Sequence, residues 1–360
     1  MDLSYSSSKV AVTSRPKQEN LTSEQLIATE TPFVSFIVPF RDEDNNLLKC
    51  VTSILNIDYP QDKFEVILAD NKSSDQSLAI AQDLASRHPK TIRIVCNDDL
   101  DGPGPTVNVA VKDARGSICA RVDADSTIRQ DYLRQALRNF YDPEIAAVYP
   151  RIDVHSTKDR SLLFEQDAPV DGHGLPIFKR EVFENLGGYD TRFFNRLNLM
   201  GRSLDLYFRE DTDLLLSMVD KGYKVIQEPN SVAYHDPYPV DTSLLVKWGL
   251  NHMMDPLLFK KHPRTAGKEI GILMPPFTRW TLAFFFATIS VGTLVASILT
   301  LRSISIPIGI IILAEYLLVL SRYRKRSFRR MISPFAVYLF CLFSFIGRVY
   351  GSLRFRRLLL

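Results

Sequence analysis

Cysteine is scarce and unpaired. Cys50, Cys96, Cys119 and Cys341 are the four in the chain, and no two share a C-x-x-C spacing. That pattern excludes a disulfide framework and a cysteine zinc site, and leaves reduced, buried thiols. The opening stretch, MDLSYSSSKVAVTSRPKQENLTSEQ, has no apolar core of signal-peptide length and is rich in Ser, Thr, Lys and Gln. It reads as a disordered segment over 1–31 that leaves the following domain in the cytoplasm. A phosphate-cradling P-loop is missing. GPGPTVN at 102–108 begins G-x-G but lacks the third glycine and carries two prolines. It reads as a loop shaped for close approach, not a dinucleotide fingerprint. No aromatic–basic stripe runs through the polar part of the chain. The basic clusters sit between apolar stretches of membrane length, so nucleic acid is excluded as a partner.

From Trp280 to Leu301 (WTLAFFFATISVGTLVASILTL) charge itself is absent. At 1.5 Å per residue, about 20 residues cross a hydrocarbon core of ~30 Å. A second run, Ser303 to Ser321, holds one carboxylate, Glu315, and a third runs from Met331 to Gly347 and ends at Arg348. Glu315 reads either as paired with a polar partner inside a helix bundle or as a functional group. SRYRKRSFRR at 321–330 carries six basic residues. The positive-inside tendency places it on the cytoplasmic side, so the first run leaves the cytoplasm and the second returns. The third run would place Arg354, Arg356 and Arg357 outside if it spanned; the alternatives are a re-entrant or an interfacial segment. The expected organisation is a soluble domain over 32–255, an interfacial connector over 256–279, an all-α membrane domain of two or three helices over 280–350, and a basic tail over 351–360. The protein is expected to be multi-pass, in contact with membrane lipids.

The polar part alternates strand and helix. FVSFIVPF (33–40), FEVILAD (64–70), TIRIVCN, SICARVDAD and EIAAVYPRI have the apolar, β-branched character of buried strands. DNNLLKCVTSILN, SSDQSLAIAQDLASRH, PTVNVAVKDAR and IRQDYLRQALRNFY have helical spacing between them. This rhythm predicts an α/β, Rossmann-like domain with a parallel sheet. Such sheets bind ligands at the carboxyl ends of their strands. The first four strands end in acids: Arg41-Asp42-Glu43, Asp70-Asn71, Asn97-Asp98-Asp99 and Asp123-Ala124-Asp125. One such cluster could be turn chemistry. Four on one rim would repel one another without a cation or polar ligand among them. Asp123 and Asp125, at i and i+2, point the same way while the strand persists. They could hold Mg²⁺ or Mn²⁺ against the phosphates of a ligand.

Six stretches then stand in a familiar order: VPFRDEDNNL, ILADNKSSDQS, GPGPTVNVAVKDARG, RVDADS, GLPIFKREVFENLGGYD and REDTDLLLSMVDKGYKV. Together, over roughly residues 33–236, they resemble a family 2 glycosyltransferase of the GT-A fold with C-terminal membrane segments. The resemblance implies an inverting, metal-dependent hexosyl transfer from a nucleotide-diphosphate sugar, UDP-type, to a membrane-held acceptor such as a polyprenyl phosphate or lipid-linked glycan. By position it implies that Pro39, Arg41 and Glu43 form the first nucleotide loop, and that Asp70 contacts the base with Asn71 beside it. Asn108 would lie near ribose and phosphates, Asp123 and Asp125 at the metal, and Gly174, Lys179 and Arg180 around the donor sugar or acceptor. Glu210 and Asp211 would be the catalytic pair, with Asp211 as base. Asp42 stands where the family usually has asparagine. His235 reads as a further metal or phosphate ligand or as a structural histidine.

Two departures matter. Lys247-Trp248, with Leu244, replaces the Q-x-x-R-W of processive synthases, which speaks against a polymer-threading enzyme. Residues 191–208 form a long insertion, readable as part of an acceptor pocket (Phe193, Phe194, Tyr207) or as a plain insertion. The alternatives to the enzyme are a non-catalytic nucleotide-sugar-binding membrane subunit and a nucleotidyltransferase. The latter wants a glycine- and lysine-rich loop where RDED stands.

Overall fold

The computed structural model of the protein describes residues 31–154, 174–199, 202–235, 242–267, 272–274, 277–278, 288–289 and 334–359. The expected disordered start therefore lies almost wholly outside the described residues. So do the expected span over 303–321 and all but two residues of the one over 280–301. The chain divides into two units, one made of 1–155, 166–192 and 210–236, the other of 156–165, 193–209 and 237–360. Parts of the expected 32–255 domain, namely 193–209 and 237–255, thus group with the second unit.

The first unit is built on an eight-stranded sheet. Its strands are β1 (Val34–Phe40), β2 (Phe64–Asp70), β3 (Ile92–Cys96), β4 (Ile118–Arg121), β5 (Ser126–Ile128), β6 (Ile145–Val154), β7 (Ile177–Lys179) and β10 (Lys224–His235). The order across the sheet is β3-β2-β1-β4-β7-β6-β10-β5. Every residue of β1 and β2 is buried. This is what near-continuous apolar runs demand when both faces of a sheet are covered. Helices α1 (Leu47–Leu55), α2 (Ser77–Arg87), α3 (Pro103–Asp113), α4 (Tyr132–Leu137), α5 (Arg180–Asn185) and α6 (Glu210–Asp220) complete the layers. The first four strands of the order are parallel. The all-parallel expectation fails at β7, which runs antiparallel to both β4 and β6, and at β5, antiparallel to β10. A three-residue strand and a strand that follows β4 after a turn need no crossover helix, so neither is bound to the parallel direction.

The chain winds β1, β2, β3 to one side and then jumps back to place β4 on the other flank of β1. That reversal is a topological switch point, where the strand ends part and leave a crevice. The last β1–β4 register pair is Ile37 with Arg121. Pro39 lies two residues further on, beyond that pairing, where its missing N–H costs the β4 ladder nothing.

In the second unit, β8 (Phe194–Leu199) and β9 (Arg202–Tyr207) form an antiparallel ribbon out of the 191–208 insertion. Helices α7 (Thr242–Asn251) and α8 (Asp255–Lys261), joined by a 3₁₀ turn His252–Met254, pack against α9 (Pro334–Phe355). Two short strands, β11 (Ile272–Met274) and β12 (Phe277–Thr278), pair with each other. The third expected run, Met331 to Gly347, falls within α9 from Pro334 onward. Arg348 is wholly buried, and its Nε donates to Asp255 Oδ2 at 2.9 Å. Arg209 Nε donates to Asp255 Oδ1 at 3.0 Å, and His252 Nδ1 lies 2.8 Å from Oδ2. A Cβ on Gly351 would fall 2.0 Å from the Met253 carbonyl oxygen, so only glycine lets the backbones approach this closely. No described helix is long and apolar enough to cross a membrane. Within the expected basic tail, α9 continues to Phe355, and the Ser352 hydroxyl donates to the Leu359 carbonyl.

Candidate active site

The loops after β1 and β2 are sewn together at the rim. Ser74 N–H donates to Asp42 Oδ1 at 2.7 Å, Asp42 N–H to Ser73 Oγ at 3.2 Å, and Glu43 N–H to Ser77 Oγ at 2.6 Å. Ser73 and Ser74 therefore tie loops ahead of α2, which begins at Ser77. Asp70, buried at the end of β2, accepts the Ser73 N–H. Asn71 fastens the next loop: its Oδ1 accepts from Gly102 N–H at 2.9 Å and its Nδ2 donates to the Leu100 carbonyl at 3.0 Å. Arg41 and Lys72 both reach Asp101, at 3.7 and 3.4 Å.

Asp123 and Asp125 follow β4, but the strand stops at Arg121 and the pair lies in a turn. Their side chains diverge to different partners. Asp123 Oδ1 accepts from Arg121 Nε at 2.8 Å, and Asp125 Oδ2 lies 3.0 Å from His235 Nε2. Burial raises the pKa of Glu43. Asp125, Asp123 and Asp75 add to the shift, against a hydrogen bond from Asn46. Burial first, then the carboxylates of Asp123, Asp125 and Glu43, raise the pKa of the buried Cys50 thiol. Mutual repulsion among half-buried carboxylates is the donor chemistry that a hard divalent cation relieves. Among the described residues no three His, Cys, Asp or Glu side chains are already gathered as a cage. The ligands would converge from the turn and from β10.

Arg121, which the sequence reading passed over, lies at the centre. It is almost fully buried, and its Nη1 donates to Asp211 Oδ1 at 2.5 Å and to the Tyr189 hydroxyl at 3.2 Å. Burial opposes its charge, but Asp123 and then Asp211 outweigh that and hold the guanidinium protonated. The available signal was an arginine inside an otherwise apolar strand, SICARV, where burial demands a counter-charge. Asn108, expected near ribose and phosphates, lies on α3. Its amide clamps the Tyr189 backbone, Nδ2 to the carbonyl and Oδ1 from the N–H, both at 2.8 Å.

Glu210 and Asp211 open α6. Burial pushes the Glu210 carboxyl up to about 8, Asp211 adds to the rise, and Arg121 opposes it. Of the two acids expected as a catalytic pair, Glu210 is thus the one that burial biases toward its protonated form.

Gly174, with φ +146°, leads into β7 at the same rim; two residues later the Pro176 carbonyl accepts from Arg121 N–H. Lys179 and Arg180 do not belong to the rim. β7 runs antiparallel to β4, and Lys179 pairs with Ile118, at the opposite end of that strand from Asp123. Lys179 Nζ donates to the Pro143 carbonyl at 2.7 Å, and Arg180 pairs with Glu184 at 3.5 Å.

Residues 35–200 match the family model Glycosyl transferase family 2. That match covers just under half of the chain. Its first unit has the GT-A fold. A mannosyltransferase from Pyrobaculum calidifontis, solved with GDP-Man and Mn²⁺, superposes with a TM-score of 0.62 at 19% identity, covering 89% of this chain and 88% of that one. Among curated relatives, a dolichyl N-acetyl-α-D-glucosaminyl phosphate 3-β-D-2,3-diacetamido-2,3-dideoxy-β-D-glucuronosyltransferase of Methanococcus voltae is 24% identical over 213 residues, 56% of this chain and 66% of its own. A β-monoglucosyldiacylglycerol synthase of Trichormus variabilis is 27% identical over 159 residues, 44% of this chain and 33% of its own. The matches thus span from a third to just under two thirds of these relatives' lengths.

Proposed function

We propose that the protein is an inverting, metal-dependent glycosyltransferase. It would move a hexose-type sugar from a nucleotide-diphosphate sugar, UDP-type, to a membrane-held acceptor, either a polyprenyl phosphate or a lipid-linked glycan. One observation carries the reading. At the β1–β4 switch point, acids from the ends of β1 and β4 sit beside an ionic pair that leads to Asp211 on α6.

Asp70 and the Arg41–Glu43 loop would take the base and ribose. Asp123 and Asp125, with His235 behind Asp125, would hold Mg²⁺ or Mn²⁺, which when bound supplies positive charge for the departing diphosphate. Asp211 takes the proton of the acceptor oxygen as that oxygen bonds to the anomeric carbon and the bond to the diphosphate breaks. One displacement inverts the centre. An ordinary carboxylate is a weak base, so positioning contributes much of the rate. The membrane-held acceptor is supported by the charge-free stretch 280–301 and by relatives whose names specify a dolichyl phosphate sugar and a diacylglycerol glucoside. On this reading the protein is held at the membrane with its catalytic unit on the cytoplasmic side.

The test incubates purified protein with a panel of nucleotide sugars and Mn²⁺ or Mg²⁺, with and without polyprenyl phosphate, and measures nucleoside-diphosphate release. Acceptor-dependent release from at least one donor is expected. It should fall by about 100-fold or more in Asp211→Asn, the scale of a lost general base. No release from any donor would leave the non-catalytic binding subunit as the better account.

A further inference from the structure

We propose that Arg121 is a positioning residue that fixes the base carboxylate of Asp211 relative to the diphosphate-side carboxylate of Asp123. The inference rests on the glycosyltransferase reading and assigns a task to a side chain that reading leaves unused. The two carboxylates come from separate elements, the turn after β4 and the start of α6. A single guanidinium meets both, Nε on Asp123 at 2.8 Å and Nη1 on Asp211 at 2.5 Å. Its planar fork sets both angles at once, which a lysine ammonium on a flexible stem does not.

The fork is itself held. The Tyr189 hydroxyl accepts from Nη1 at 3.2 Å, and the Arg121 guanidinium carbon lies 5.5 Å from the centre of the Tyr189 ring. Tyr189 is fully buried, clamped by the Asn108 amide on its backbone and met edge-on by Phe183 at 5.4 Å. A Cβ on Gly104 would come within 3.1 Å of Tyr189 Cβ, so a glycine lets α3 pack closely on this residue. The chain Asn108–Tyr189–Arg121 is therefore a rigid support whose far end is the base. Small displacements of a reacting group cost large factors in rate, about 100-fold for ~1 Å.

The experiment is a double-mutant cycle on the full chain, reading kcat and the donor KM, with nucleotide binding by calorimetry as the measure of an intact site. Arg121→Lys is expected to lose roughly 10- to 100-fold in kcat with donor KM within about threefold of wild type. Because Arg121 acts through Asp211, Arg121→Lys combined with Asp211→Asn should be no slower than Asp211→Asn alone, whereas a merely structural role gives multiplied losses. Should Arg121→Lys fail to fold, Tyr189→Phe removes one support and is expected to lower kcat severalfold at constant KM. Full kcat in Arg121→Lys, multiplied losses in the cycle, or full kcat in Tyr189→Phe overturns the inference and leaves glycosyl transfer standing. A wild type that releases no nucleotide from any donor overturns both.

Discussion

Burial separates the two neighbouring acids at the start of α6. Glu210 is buried and its pKa rises from about 4.5 to about 8, driven first by loss of solvent. Its folded pKa is raised above the unfolded value, so between those values the unfolded chain has lost a proton that the folded chain keeps. Stability then falls as pH rises from about 4.5 towards 8. Glu210→Gln should remove that dependence. In chemical denaturation with EDTA present, the variant should match wild type near pH 4.5 and exceed it at pH 8 by up to a few kcal/mol. Equal slopes with pH in both proteins would contradict the assignment. At this scale much was legible from the residues alone. Acids at successive strand ends marked Glu43, Asp70, Asp123 and Asp125, because a parallel sheet gathers strand ends on one edge. Arg121 was not marked, because a lone basic residue in an apolar strand has no partner visible in sequence. The position of Lys179 at the far end of β4 from Asp123 was not readable, because a three-residue antiparallel strand carries no sign of its direction.

Turns and helix packing set what the elements hold in place. Gly188 has φ +73°, and a Cβ there would lie 2.5 Å from Asn108 Oδ1, the acceptor of the Tyr189 N–H. Gly188→Ala should cost about 1–3 kcal/mol through that strain, read as a lower urea midpoint. An unchanged midpoint would show that the clamp yields. In the second unit, His252 is buried against Asp255 between the α7–α8 turn and α9. Burial first, then the charges of Arg348 and Arg209, lower its pKa to about 4, while Asp255 resists the shift. Its folded pKa lies below the unfolded value near 6.5, so the neutral ring contributes stability above about 6.5 that is lost as pH falls towards 4. His252→Gln should flatten that limb of the stability curve, an effect on the order of 3 kcal/mol measured between pH 4.5 and 7. The element rhythm of the first unit was readable because helical and strand periods differ. The ribbon β8–β9 and the burial of Arg348 were not, since both depend on residues far apart in the chain.

For the whole molecule, topology decides where chemistry can occur. Winding three strands one way and the fourth the other sets a switch point between β1 and β4; Glu43 follows β1, and Arg121 at the end of β4 pairs with Asp211, some 170 residues after Glu43. The sequence showed the alternation but not the mixed sheet, because strand order is settled by packing between distant segments. The apolar stretches 280–301 and 303–321 are consistent with an acceptor delivered in a membrane, which is the proposed setting. The most direct measurement is an anomalous difference map from crystals grown with Mn²⁺ and the nucleoside diphosphate of the accepted donor. The account predicts one Mn²⁺ peak between Asp123 or Asp125 and the diphosphate, with Asp211 facing the open side of the same crevice. A peak on carboxylates away from the β1–β4 switch point, or a diphosphate bound elsewhere on the sheet, would contradict it.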